Sequence, residues 1–330
     1  MAITIVDESQ LRELVHLDND ALAAVAEGFS ALATKEVALP PIMRIDAHEG
    51  GGEVDVKSAY VQGEDRLAIK IAAGFWDNPE KFDLPSGSGQ MIVLSARTGR
   101  CEAVLLDNGY LTDVRTALAG ALAARHLARE KVETAGQIGA GAQGRYQMQA
   151  LQLVRDFKRL LVFDLDENRL EAYVEEMPSL LGVEVIGTTS AEEVVHQSDV
   201  VTTSTPSQEP FIKAEWLHPG LHLTAMGADA EHKQELFPEV IGKADLVVCD
   251  RKSQVFRLGE LHHARDAGII DEEDEVYELG ELTSGQHPGR RDDAQITVAD
   301  LTGVGVQDVA ISLFALGLVE EKGVGLKVEN

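Results

Sequence analysis

Hydrophobic and polar positions along this chain follow two periods, and the order in which they appear predicts the architecture. Residues 1–7 carry a strand pattern. Residues 20–35 place Leu22, Val25, Phe29 and Leu32 on one helical face. Residues 54–61 and 67–71 look like strands, and 91–95 with 102–106 predict a hairpin around Arg97-Thr98-Gly99. This first region is therefore expected to be α+β. Thr112 is the expected N-cap of a long alanine-rich helix, 113–129.

Beyond that helix, strands and helices alternate. Strands are expected at 135–138, 160–163, 183–186, 200–203, 222–225 and 246–249, with helices at 144–154, 167–177 and 191–197. Such alternation predicts a parallel, doubly wound α/β sheet. An apolar helix, 308–318, follows it and is expected to return to the first domain. The expected division is residues 1–112 with 304–330, and 113–303.

The first turn of the alternating region carries Gly139-Ala140-Gly141-Ala142-Gln143-Gly144. This is a complete G-x-G-x-x-G between a strand and a helix, and Asp164 ends the next strand about twenty residues on. One glycine serves the tight turn, one admits backbone N–H groups to a pyrophosphate, and one lets helix approach strand. The helix N-terminus adds the positive end of its dipole. A glycine-rich turn alone explains this context less well than a dinucleotide site. Asp164 suits the two ribose hydroxyls of NAD(H) and repels a 2′-phosphate; Asp166 adds to the repulsion, which favours NAD(H) over NADP(H).

Composition narrows the class. The 330 residues, 44% of them hydrophobic, suffice for two domains with buried cores. No apolar run approaches bilayer-spanning length, and the N-terminus has no basic start, so a cytoplasmic protein without a signal peptide is expected. Cys101 and Cys249 have no C-x-x-C partner and are expected to be free thiols. The net charge of −27 disfavours nucleic acid and anionic membranes as partners. A saline habitat or a plain solubility role each accounts for it, the former slightly better. His222, His232, His262 and His263 match no zinc spacing, and the adjacent His262 and His263 would point apart on a helix, so no metal site is expected.

Several segments, in order, resemble the ornithine cyclodeaminase/μ-crystallin family. They are 111–117 (LTDVRTA), 138–143 (IGAGAQ), 225–229 (AMGAD) with Lys233 and Glu235-Leu236, and 303–308 (GVGVQD). Segments 54–60, 68–79 and 106–110 look most like its cyclodeaminase-like members of ectoine utilisation. The resemblance implies a Rossmann domain and a substrate-binding and dimerisation domain, a homodimer, and a catalytic site formed between domains. It implies NAD(H)- or NADP(H)-linked chemistry on a small amino or imino acid. The leading expectation is an imino-acid reductase, equivalently an amino-acid dehydrogenase. A cyclodeaminase with retained NAD⁺ is second, and a non-catalytic crystallin-like binding protein is third.

Carried onto this chain, the resemblance implies that Arg44, Lys70 and Arg115 hold or adjoin a substrate carboxylate, and that Lys70 and Asp229 are catalytic, Asp229 managing the proton. Arginine offers a planar fork for a carboxylate, and lysine a tunable donor. The plain alternatives are a surface ion pair for Arg115, weakened by its expected place in the first helical turn, and a solvent-facing Lys70. For Asp229 the alternative is an N-cap of 231–236. Asp55 takes an acidic position that in cyclodeaminases lies near the side-chain amine, but it is one methylene shorter than glutamate. Lys57 stands where an apolar residue is usual, on the face shared with Asp55. Lys57 disfavours a cationic ornithine side chain, unless the two form a pair on a wet face. Gly303 and Val304 are expected against substrate or nicotinamide. The cofactor set is completed by Thr112, Arg115, Leu165, Thr203, Ser204, Thr205, Met226, Gly227 and Asp229, beside 139–144 and Asp164.

Overall fold

The computed structural model describes residues 2–329. The chain divides into two compact units, Met1–Arg115 with Val304–Asn330, and Thr116–Gly303.

The first unit is built on a mixed sheet. Its strands run in the order Leu326–Glu329, Ala2–Asp7, Cys101–Leu106, Gly87–Ser95, Arg66–Phe75, Gly52–Val61 and Val37–Ala38, and Met43–Ala47 also pairs with Gly52–Val61. The pairing of Ala2–Asp7 with Cys101–Leu106 is parallel, whereas the long central hairpin is antiparallel. The helix Gly305–Lys322 lies against the strands Gly52–Val61 and Arg66–Phe75 and against the helix Asn19–Thr34. Two glycines permit that approach. A Cβ on Gly28 would meet Ala310 Cβ at 3.0 Å, and one on Gly305 would meet Ser58 O at 2.3 Å.

The second unit is an eight-stranded sheet, ordered Glu184–Gly187, Arg159–Phe163, Thr134–Ile138, Val200–Thr203, His222–Ala225, Thr297–Asp300, Leu246–Cys249, Val276–Glu278. Every adjacent pair is parallel. The first four strands of this unit therefore order as 3-2-1-4, with the direction of winding reversing between Thr134–Ile138 and Val200–Thr203. In open parallel sheets ligands bind at such a reversal, outside the carboxyl ends. The central strands are buried on both faces, as a covered parallel sheet requires.

Several expectations need correction. The long helix is Tyr110–Leu127, so Thr112 lies inside it and is not its N-cap. Asp107 does the capping, its Oδ2 accepting from Leu111 N at 2.9 Å. Arg115 is consequently one turn deeper than expected. The helix after the glycine loop begins at Ala142, and the last helix begins at Gly305 instead of 308. No helix forms over 231–236, which removes the capping role considered for Asp229. The rings of His262 and His263 do not diverge, their centroids lying 3.9 Å apart. The strands Thr297–Asp300 and Val276–Glu278 had escaped the sequence reading.

Candidate active site

The glycine loop follows the strand Thr134–Ile138 at the reversal point, and its three glycines do different work. Gly139 has φ +99°, and a Cβ there would meet Ser204 O at 2.7 Å. A Cβ on Gly141 would meet nothing within 4 Å, leaving open approach to the backbone. A Cβ on Gly144 would meet Gly139 O at 2.2 Å, so only glycine lets the helix begin so close to the strand. Ala142 and Gln143 open the helix Ala142–Leu151. These are the features a pyrophosphate cradle needs, and the residues present fit a dinucleotide. Arg145, which the sequence reading missed, lies in the same helix. Its Nη1 donates to Ala140 O and Gly141 O, and its Nε pairs with Glu176 at 2.7 Å.

Asp164 ends the neighbouring strand. Its Oδ2 accepts from Ala140 N at 2.7 Å and its Oδ1 from Asp166 N at 2.8 Å, which ties it to the loop. Leu165 beside it is 91% exposed. A cleft here is lined by Asp164, Glu167, Glu171, Glu175, Thr188 and Thr189, among others.

At the carboxyl ends of the next two strands lie Thr203, Ser204, Thr205, Met226, Gly227 and Asp229. Ser204 Oγ accepts from Gln137 Nε2 at 2.9 Å, and Met226 N donates to Thr203 O at 3.0 Å. Thr203 is fully buried. Asp229 is exposed, and its Oδ1 accepts from Lys233 Nζ at 2.6 Å. Gly303 N donates to the buried Asp250 Oδ2 at 2.6 Å. These residues all belong to the second unit.

The first unit gathers the cations. Strand register puts Lys57 opposite Lys70 and Arg44 opposite Asp55. Directly opposed residues share a face, as do residues two apart, so all four lie on one face of the sheet. That face is the one the helix Gly305–Lys322 covers. Lys70 is 2% exposed, which rules out the solvent-facing alternative. Its Nζ lies 3.2 Å from Asp308 Oδ1, and Arg115 Nε lies 3.0 Å from the same oxygen without hydrogen-bond alignment. Arg115 is buried, and its Nη1 donates to Gln307 Oε1 at 3.3 Å; Val304 N donates to the same atom at 2.8 Å. Burial, then Arg115 and Lys57, pull the Lys70 ammonium down to about 7 against the pull of Asp308. Burial pushes the Asp107 carboxyl up to about 6, which Lys70 partly offsets.

Lys57 is buried, so a wet-face pair with Asp55 is also excluded. Asp55 Oδ1 is buried and has no hydrogen-bond partner, and the same holds for Thr112 Oγ1. The Arg44 guanidinium is engaged by Glu53 and Asp46. Gln307 belongs to the loop expected against substrate or nicotinamide, whereas Asp308 and Asp107 carried no expected role. The available signal was an acid in the first turn of an otherwise apolar helix, where nothing but a partner justifies burying it. Among the described residues, no group of three or more His, Cys, Asp or Glu is placed to hold a metal ion.

In a chain of net charge −27, Lys57, Lys70 and Arg115 are buried cations of the first unit, two of them beside Asp308. Comparison with known proteins finds relatives along the whole chain. An uncharacterized cyclodeaminase of Sinorhizobium fredii is 46% identical over 99% of this chain and 98% of its own. The structure of Thermococcus litoralis Delta(1)-pyrroline-2-carboxylate reductase, in complex with NADH and L-proline, superposes with TM-score 0.92 at 28% identity, covering 99% of this chain and 100% of that one. An archaeal alanine dehydrogenase, a dimer with bound NAD, gives TM-score 0.91 at 32% identity over 100% and 99% of the two chains. The model of the ornithine cyclodeaminase/mu-crystallin family matches residues 3–322, and the chain belongs to that family.

Proposed function

We infer that the protein is an NAD(H)-dependent oxidoreductase acting at the amine- or imine-bearing carbon of a small amino acid. The observation that carries this reading is the buried Lys70–Asp308–Arg115 cluster, in a chain whose other unit holds an intact dinucleotide cradle. The cofactor, when bound, supplies or accepts a hydride. Arg115 offers its fork to the substrate carboxylate, and Lys70 beside it, poised near neutrality, both binds and exchanges a proton. Asp229, exposed at a strand's carboxyl end, is the proposed proton carrier for the substrate nitrogen. NAD(H) is proposed over NADP(H) because Asp164, Glu167, Glu171 and Glu175 line the adjoining cleft and repel a 2′-phosphate. A homodimer is proposed by likeness to the archaeal dimer. The small substrates proposed include imino acids from ectoine or hydroxyectoine breakdown.

The test follows NADH absorbance with 2-oxo acids plus ammonia or amines, and with cyclic imino acids. Net NADH consumption is expected. A second reading, a cyclodeaminase, is favoured by the unpartnered buried oxygen of Asp55, which suits a side-chain amine. Ammonia release from a diamino acid without net NADH change would select it and reject the reductase. Asp229→Asn is expected to abolish turnover with NADH affinity retained.

A further inference from the structure

Glu235 bonds to the ends of the strands Val200–Thr203 and His222–Ala225, and among the described residues no cation forms a salt bridge with it. It is fully buried. Its Oε1 accepts from Thr205 N and Thr205 Oγ1, each at 2.8 Å. Its Oε2 accepts from Thr203 Oγ1 at 2.6 Å and from Gly227 N at 2.8 Å. One carboxylate thus holds four donors drawn from the ends of two adjacent parallel strands. Gly227 is shaped for it, since a Cβ there would meet Glu235 Cδ at 2.5 Å and Thr205 O at 2.2 Å. The clamp is itself braced. Glu260, also buried, accepts from Glu235 N at 2.8 Å and from Leu236 N at 3.0 Å.

Burying an acid is costly without compensation, and four donors supply it. The cost is out of proportion to joining two loops that ladder hydrogen bonds already hold together. It makes sense where the loop geometry must be fixed at hydrogen-bond tolerance. In a doubly wound fold the first two strand ends serve the adenosine half of the cofactor, and the strands beyond the reversal serve the nicotinamide half. Resting on the cofactor reading above, we propose that Glu235 is a positioning residue that fixes Thr203–Thr205 and Gly227 as the seat of the nicotinamide half. It touches no substrate and acts only through those backbone and hydroxyl groups.

Glu235→Gln tests this. One of its two acceptor oxygens becomes an NH₂ group that must face donors. NADH and ADP-ribose affinities are measured by titration on wild type and variant. ADP-ribose keeps the adenosine and pyrophosphate contacts and lacks the nicotinamide. The expected result is NADH binding weakened on the order of tenfold with ADP-ribose binding unchanged. Equal weakening of both ligands assigns Glu235 to general folding, and no change in either shows the clamp to be idle; each overturns the proposal. Wild-type protein that binds neither ligand instead refutes the cofactor reading, and the proposal falls with it. If Glu235→Gln does not fold, Thr203→Val, which removes one of the four donors, decides on the same ratio with a smaller shift.

Discussion

Lys70 and Asp308 form an enclosed ion pair, Nζ to Oδ1 3.2 Å, joining the central hairpin of the first unit to the helix laid across it. Asp308 is the group that keeps Lys70 from losing its proton at still lower pH. In Asp308→Asn, burial and the neighbouring Arg115 and Lys57 act unopposed, so Lys70 deprotonates at lower pH. The limb of the kcat/KM profile that follows Lys70 is expected to move acidward by about one unit or more. A profile that falls in height but keeps its midpoints would rule out this coupling.

Gly305 sets how closely that helix lies on the sheet. In Gly305→Ala the new methyl would sit 2.3 Å from Ser58 O, so the helix start must lift and carry Asp308 with it. The expected cost is about 1–3 kcal/mol, together with a loss of kcat/KM. Thermal unfolding and steady-state rates on one preparation check both, and unchanged stability would contradict the close approach.

Asp164 bears charge as well as a hydrogen bond to the glycine loop. Asp164→Asn keeps an acceptor for Ala140 N while removing the repulsion of a 2′-phosphate. The affinity ratio of NADPH to NADH is expected to rise about tenfold. Fluorescence titration of both nucleotides measures it, and an unmoved ratio means selectivity lies elsewhere.

His222 is fully buried, its Nδ1 and Nε2 each 2.9 Å from a threonine hydroxyl, those of Thr297 and Thr224. Burial holds its imidazole down at about 3, against an ordinary value of 6.5. The native state therefore binds fewer protons than the unfolded chain between those values, and stability falls as pH drops through this window. The loss from this group approaches about 1.4 kcal/mol per pH unit. His222→Gln is expected to flatten the decline in urea midpoint between pH 6.5 and 4. Parallel declines in both proteins would show that other groups dominate.

The second unit was largely legible because its signals are local. The strands Val200–Thr203, His222–Ala225 and Leu246–Cys249 are short runs rich in β-branched or aliphatic residues, and the glycine loop announces its own turn. What escaped depended on tertiary partners. Thr112 looks like a cap, but Asp107 holds Leu111 N and starts the helix earlier. The strand Thr297–Asp300 is inserted between strands formed much earlier in the chain, an order no local pattern specifies. For Lys57 and Lys70 the pattern left a solvent-facing alternative open, and a distant helix closes it by covering them. The same helix supplies Asp308, and that pairing spans most of the chain. Glu235 sat in a recognised segment, yet its role needed the two strand ends it joins.

The pairing of Leu326–Glu329 with Ala2–Asp7 has a consequence during synthesis. A ribosome delivers the N-terminal strands long before the helix and strand that complete their sheet. Thr116–Gly303 is contiguous in the chain, whereas the first unit's sheet is completed only by Leu326–Glu329. Until then the face bearing Lys57 and Lys70 has no cover. The cover over Lys57 and Lys70 is therefore made late in synthesis, after the whole of the intervening contiguous unit.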